Sequence, residues 1–231
     1  MRVTFKKDST VQVFRLGKTT NKKISKGTEK IVQTYTFSQD QFEYIKECMN
    51  NGEKPVFKTF FSLDAKNCFD CPFSMNTGGG GCYTHKVMQY SGFVSMLKSI
   101  VKEFVNHDHI PTFSEDVQND LIEMARDKYV RFGTYGEPTM HPITLVAAMA
   151  GVSKNWTGYT HQYVRNQDFN KFFMASVHNE LQAKKLFAFF VSKTDDKDAA
   201  IELSKGFLAT KGYKSLSDID FSKNSLKDLI D

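Results

Sequence analysis

The chain reads as an α/β protein, a parallel sheet wrapped toward a partial (β/α) barrel with a small N-terminal β-hairpin plus helix appendage. Three observations predict this. From residue 55 onward, strand-like apolar runs alternate with helical periods, the pattern of βα units that feed a parallel sheet. There are about five such units, fewer than the eight of a closed barrel. Upstream, two period-two runs flank a polar turn and lead into one capped helix, which is hairpin chemistry rather than a βα repeat. The expected boundaries are 1–54 for the appendage, 55–210 for the partial barrel and 211–231 for a polar C-terminal tail.

Taken in order, 10–16 and 30–37 alternate apolar and polar residues as strands do, around a polar turn at 18–27. Ser38 is a helix cap before 41–49, and Asn50-Asn51-Gly52 stops that helix. The run 56–63, rich in Phe, is expected as the first barrel strand, with the cysteine segment directly after it. A helix follows over 87–106. Ser114 caps another over 115–127, which feeds a strand at 129–132. Then come a helix at 143–150, strands at 156–160 and 172–177, a helix at 179–184, a strand at 186–192 and a helix at 196–207. The tail carries a short helical end at 225–230.

Composition narrows the class. The 231 residues are 40% hydrophobic and 25% charged, an ordinary globular balance. Phe occurs 21 times against one Trp, so the core is expected to be built largely on Phe. The net charge is +5, much of it from Lys6, Lys7, Arg15, Lys18, Lys22, Lys23, Lys26 and Lys30. Such a basic N-terminal region is either a solvated surface or a contact for nucleic acid. No apolar stretch approaches the ~20 residues of a membrane span. The opening Met1-Arg2-Val3-Thr4-Phe5-Lys6-Lys7 lacks the apolar centre of a signal peptide. A cytoplasmic protein is expected.

Four cysteines are too few for a disulfide framework, and three crowd into 68–82. Cys68-x2-Cys71 and Cys82-x2-His85 have the spacing of a tetrahedral zinc site with three thiolates and one imidazole. The same Cys68, Cys71 and Cys82 can instead carry an iron–sulfur cluster with one iron left open. Glycines 78–81 let backbone approach such a group closely. They are no phosphate loop, since no Gly-Lys-Ser/Thr ends the run. Cys48 falls on the first helix and reads as a small buried apolar residue.

Polar clusters follow the later strands: Arg131-Phe132-Gly133-Thr134-Tyr135-Gly136-Glu137-Pro138, then Gly158-Tyr159-Thr160-His161-Gln162, then His178. Ligands of parallel α/β proteins sit at the carboxyl ends of strands, so these clusters are expected to share a mouth with the cysteines. Glu137, on a rigid Gly-Glu-Pro tip, is placed to accept from an amine or ribose hydroxyl or to pair with Arg131. His161, with Tyr159 and Gln162, is placed to orient a polar ligand or act as a base. Each cluster by itself also reads as an ordinary turn. His107 and His109 read as a solvated linker, while His85 and His141 are open.

In combination, Cys68-x2-Cys71-Pro72, Gly81-Cys82-Tyr83, 131–138, 158–162 and Met174-Ala175-Ser176-Val177 resemble a set of small phage and plasmid proteins of the radical-SAM-like group. The resemblance covers roughly residues 56 to 192. It implies a partial (β/α) barrel with a cysteine loop after its first strand, and a [4Fe-4S] cluster on Cys68, Cys71 and Cys82 with S-adenosylmethionine. Arg131, Tyr135, Gly136, Glu137, Tyr159, His161, Gln162 and Ser176 are the expected cofactor- and ligand-binding residues. The implied activity is modification of a nucleotide or nucleic acid of a virus or its host. The alternative is a zinc-stabilised, non-catalytic binding module for nucleic acid or a protein partner.

Overall fold

The computed structural model describes residues 1–19, 27–71, 73–77, 82–104, 110–163 and 165–177. The chain divides into two units, 1–173 and 174–231. In the first, β1 (Arg2–Lys7), β2 (Thr10–Thr19), β3 (Glu29–Ser38), β4 (Tyr129–Tyr135) and β5 (Asn155–Thr157) form one sheet in sequential order. β1, β2 and β3 are antiparallel, whereas β3, β4 and β5 are parallel. The sheet is open, with β1 and β5 at its edges. The helices are α1 (Gln39–Asn50), α2 (Phe57–Ser62), α3 (Ala65–Cys68), α4 (Val87–Phe104), α5 (Glu115–Ala125) and α6 (Ile143–Val152).

Strand alternation sends side chains to two faces, and each face has its own core. Val11, Val13, Tyr35 and Phe37 pack with Phe42 and Ile45 of α1, Phe60 and Phe61 of α2, and Phe93, Leu97 and Ile100 of α4. On the opposite face, Phe5, Phe14, Val32, Val130 and Phe132 pack with Leu121 and Met124 of α5 and with Leu145 and Met149 of α6. Phe dominates both: Phe5, Phe14, Phe37, Phe60, Phe61 and Phe132 are among the largest fully buried side chains. Burying each stabilises the fold by about 1.5–3 kcal/mol.

Local chemistry fixes the helix starts. Ser38 Oγ accepts from the Gln41 N–H at 3.0 Å, and the Gln41 side chain accepts from the Ser38 N–H at 3.1 Å, a complete capping box. Ser114 likewise accepts from the Val117 N–H at 3.3 Å at the start of α5.

The run 56–63 is a helix, not the expected strand. Phe57, Phe60 and Phe61 fall at i, i+3 and i+4, one face of a helix. Phe60 and Phe61 are both 0% exposed, and adjacent residues of a strand would point to opposite faces. The cysteine segment therefore follows helical turns, and the parallel strand upstream of it is β3. Nor does the N-terminal hairpin stand apart as an appendage: β3 pairs in parallel with β4 through Val32 and Val130. The expected strand 156–160 is interrupted at Gly158, leaving β5 and a short β6 (Tyr159–Thr160). A Cβ at Gly158 would lie 2.7 Å from the Phe173 ring. Of the expected strand 172–177, only β7 (Met174–Ala175) is extended, and it belongs to the second unit. The elements expected from 179 onward, the tail, His178, His107 and His109 lie outside the described residues, as does most of the turn at 18–27. Among the described residues no helix is long and apolar enough to cross a membrane.

Candidate metal and ligand site

The cysteine segment is docked on the carboxyl ends of β3 and β4. Asn67, fully buried in α3, donates its side-chain N–H to the Thr36 carbonyl of β3 at 2.9 Å. Its own carbonyl accepts from the Glu137 N–H at 2.7 Å, just past β4. Between these two anchors the chain must pass very close at Gly136. That residue has φ +77°, and a Cβ there would sit 2.6 Å from the Thr36 oxygen. From Cys68, backbone bonds wind the loop back on itself: Cys71 N–H to the Cys68 carbonyl at 3.1 Å, Ser74 N–H to Cys71 at 3.0 Å, and Cys82 N–H to Phe73 at 3.1 Å. These bonds bring Cys82 back to the end of the loop that carries Cys71.

Beneath the thiols lies a buried carboxylate that the sequence did not single out. Asp64 is 0% exposed; its Oδ1 accepts from Ser74 Oγ at 2.6 Å, and its Oδ2 lies 3.9 Å from His85 Nε2. Oδ2 has no hydrogen-bond partner among the described residues. Burial pushes the Asp64 carboxyl up, with the Ser74 hydrogen bond, the His85 charge and a Cys68 hydrogen bond opposing. The Cys68 thiol is driven well above the usual range by burial, and then by Asp64, Cys71, Cys82 and Glu137 in turn. Burial also raises Cys71, with Cys82 and Glu137 adding to it and backbone bonds to Phe73 and Ser74 opposing. Thiols held protonated in this way are poor nucleophiles. A metal or cluster bound there would have to displace those protons, since the thiolate is the ligand.

Glu137 is the buried hub beside them. One oxygen accepts from Thr160 Oγ1 at 2.5 Å and from the Thr139 N–H at 3.4 Å; the other accepts from the His161 N–H at 3.1 Å. Burial raises its carboxyl despite these donors. The Thr160 hydroxyl in turn accepts from the Gln162 N–H at 2.9 Å, and the Gln162 side chain reaches Asp70 of the cysteine loop at 2.8 Å. Asp70 also pairs with Arg165 at 3.0 Å. Glu137 thus ties the 158–162 segment to the cysteine loop.

Comparison with protein-family models, curated proteins and solved structures gives no match.

Of the residues singled out in the sequence, Cys68, Cys71, Cys82, Glu137, His161 and Gln162 gather at this end of β3 and β4. Tyr159 is half exposed next to them. Tyr135 is a core residue whose hydroxyl accepts from the Gln41 side chain at 2.7 Å, and burial, Cys68 and Asp64 drive that hydroxyl well above its ordinary range. Gly136 serves the close chain crossing. Arg131 lies apart, donating to the Tyr83 hydroxyl at 2.9 Å, and Ser176 belongs to the second unit. His85 packs its ring against Phe61 at 4.2 Å between centroids and faces Asp64. Among the described residues, no three His, Cys, Asp or Glu side chains close on one point that would hold a metal ion. His141 is buried on the other face of the sheet, between Gln12 at 2.7 Å and Thr34 at 2.9 Å. Asp64, Asn67 and Thr160 were missed; the only available signal was their position beside Cys68 and inside the 158–162 motif.

Proposed function

We propose that Cys68, Cys71 and Cys82 hold an iron–sulfur cluster in a radical-SAM-like partial (β/α) barrel whose ligand is a small molecule or nucleotide. The observation that carries this reading is the return of one loop through Cys68, Cys71 and Cys82, held by the Cys71-to-Cys68 and Cys82-to-Phe73 backbone bonds and docked at the carboxyl ends of two parallel strands. The sequential parallel order β3-β4-β5 is also the order of a barrel arc and supports the resemblance.

The donor set suits a cluster better than a single ion. Zinc needs four donors about 2.0–2.3 Å away on one centre. A cluster takes each thiolate on a separate iron, so its ligands need not meet at a point. His85, the fourth donor of the zinc reading, faces Asp64 and the Phe61 ring. When bound, such a cluster supplies one-electron reduction of S-adenosylmethionine, the chemistry by which nucleotides or nucleic acids are modified through radicals. The protein's part is to hold the thiols and to orient a ligand through His161, Gln162 and Tyr159.

Cysteine alkylation followed by mass spectrometry tests the assignment. In anaerobically isolated protein, Cys68, Cys71 and Cys82 are expected to resist iodoacetamide together and to react together after chelation and oxidation. Independent labelling of the three, unaffected by chelation, would remove the shared centre.

A further inference from the structure

A cavity of about 270 Å³ opens on the face of the sheet that α4 covers. Arg15 on β2 stands directly across from Gln33 on β3, and Gln33 directly across from Arg131 on β4. Residues in register share a face, so the three side chains form one row with an arginine at each end. Adjacent strands lie about 4.8 Å apart, which sets the arginine backbones about 10 Å apart. Two guanidinium forks close that span easily onto one tetrahedral anion over Gln33.

The remaining walls fit the same occupant. Arg15, Arg131 and Tyr35 all line the cavity, and the Tyr35 hydroxyl donates to the Gln33 side chain at 3.3 Å between the two arginines' strands. No carboxylate lines the cavity, and neither guanidinium has a carboxylate partner among the described residues. The Thr134 hydroxyl in its wall is buried without a hydrogen-bond partner there. Tyr83, half exposed at the rim, receives the Arg131 guanidinium on its hydroxyl at 2.9 Å and offers its ring for stacking. The volume sits just below the ~300 Å³ at which pockets for whole drug-sized ligands begin. It suits a mononucleotide seated with its phosphate inside and its base at the rim, and is too small for a dinucleotide.

We propose that this cavity is a phosphate-binding pocket, with Arg15 and Arg131 clamping the phosphate over Gln33 and the Tyr83 ring covering an attached base. Its clamp residues, Arg15 and Arg131, lie outside the cysteine segment, only Tyr83 adjoins it beside Cys82, and the pocket needs no metal, so loss of phosphate binding in the arginine variants leaves the cluster reading untouched.

The test is calorimetric titration of the full chain with inorganic phosphate, AMP and a short single-stranded oligonucleotide lacking terminal phosphates. AMP is expected to bind more tightly than phosphate. Arg15→Gln and Arg131→Gln should each weaken AMP by roughly tenfold or more, the loss of one charge-assisted clamp, while the bound metal stays unchanged. AMP binding without oligonucleotide binding assigns the phosphate to a free small molecule. Oligonucleotide binding that requires both arginines assigns it to a strand backbone and equally supports the pocket. Should the arginine variants fail to fold, Gly92→Phe decides. Gly92 lines the cavity from α4 with nothing within 4 Å of an added Cβ, so a phenyl ring can be placed at the pocket wall without a backbone clash. Absence of binding by wild type at roughly millimolar ligand, or AMP affinity unchanged in Gly92→Phe or in the folded arginine variants, overturns the proposal.

Discussion

Replacing Glu137 by Gln keeps the shape of the hub and removes its charge. The carboxylate takes three donors on two oxygens, the Thr160 hydroxyl, the Thr139 N–H and the His161 N–H. An amide has one acceptor oxygen. If that oxygen stays with Thr160 and Thr139, the new NH₂ is turned against the His161 N–H, donor to donor, inside a side chain only 4% exposed. One unsatisfied buried group costs about 1–3 kcal/mol. The remaining bonds lose their charge assistance, while the amide escapes the burial penalty that raises the Glu137 carboxyl. The balance is a loss of about 2 kcal/mol. With a urea slope of about 2 kcal/mol per molar, the unfolding midpoint falls by about 1 M. Amide exchange at His161 should quicken at the same time, because that N–H loses its acceptor. An unchanged midpoint with unchanged exchange at His161 would refute the view that Glu137 organises this end of the sheet.

Further outcomes follow from single residues. Gly136→Ala should destabilise by at least about 2 kcal/mol in urea melts, because alanine at φ +77° is strained and its Cβ meets the Thr36 carbonyl. Ser38→Ala should cost about 1–2 kcal/mol by removing the cap of α1, read in the same melts. His141 is held neutral by burial, its pKa lowered to about 3 from 6.5. Below pH 6.5 the unfolded chain takes a proton that the folded chain refuses, so this residue's contribution falls by about 1.4 kcal/mol per pH unit down to about pH 3. The raised carboxyls of Asp64 and Glu137 work the opposite way near and above pH 4, so the effect is isolated by difference. Stability of wild type minus that of His141→Gln should decline by about that slope between pH 6.5 and 4.5; parallel profiles would contradict a neutral buried imidazole.

Much of the fold was legible where local chemistry decides it. Ser38 and Ser114 marked helix starts because a hydroxyl cap has a fixed relation to the N–H groups that follow, and the alternation of 10–16 and 30–37 marked strands. The run 56–63 was not legible: eight residues containing Phe57, Phe60 and Phe61 satisfy either period loosely, and only the cores of α1 and α4 select the helix. The pairing of β3 with β4 joins residues almost a hundred positions apart, and no local pattern announces it. At the site, the cysteines and Glu137 stood out through spacing and a rigid turn. Asp64 did not, because a lone Asp before a Cys carries no periodic signal, and its role comes from burial against Ser74 and His85. Tyr135 misled for the converse reason: a tyrosine at a strand end reads as a ligand group until its hydroxyl is found on Gln41 in the core.

The proposed iron–sulfur centre requires all three thiols, Cys68, Cys71 and Cys82. Quantifying iron, acid-labile sulfide and zinc per chain in anaerobically purified wild type and in Cys68→Ala tests it most directly. Several equivalents each of iron and sulfide are expected in the wild type, and their loss in the variant. Zinc at one equivalent without sulfide, or wild-type and variant chains equally free of both metals after reconstitution with iron and sulfide, would contradict it.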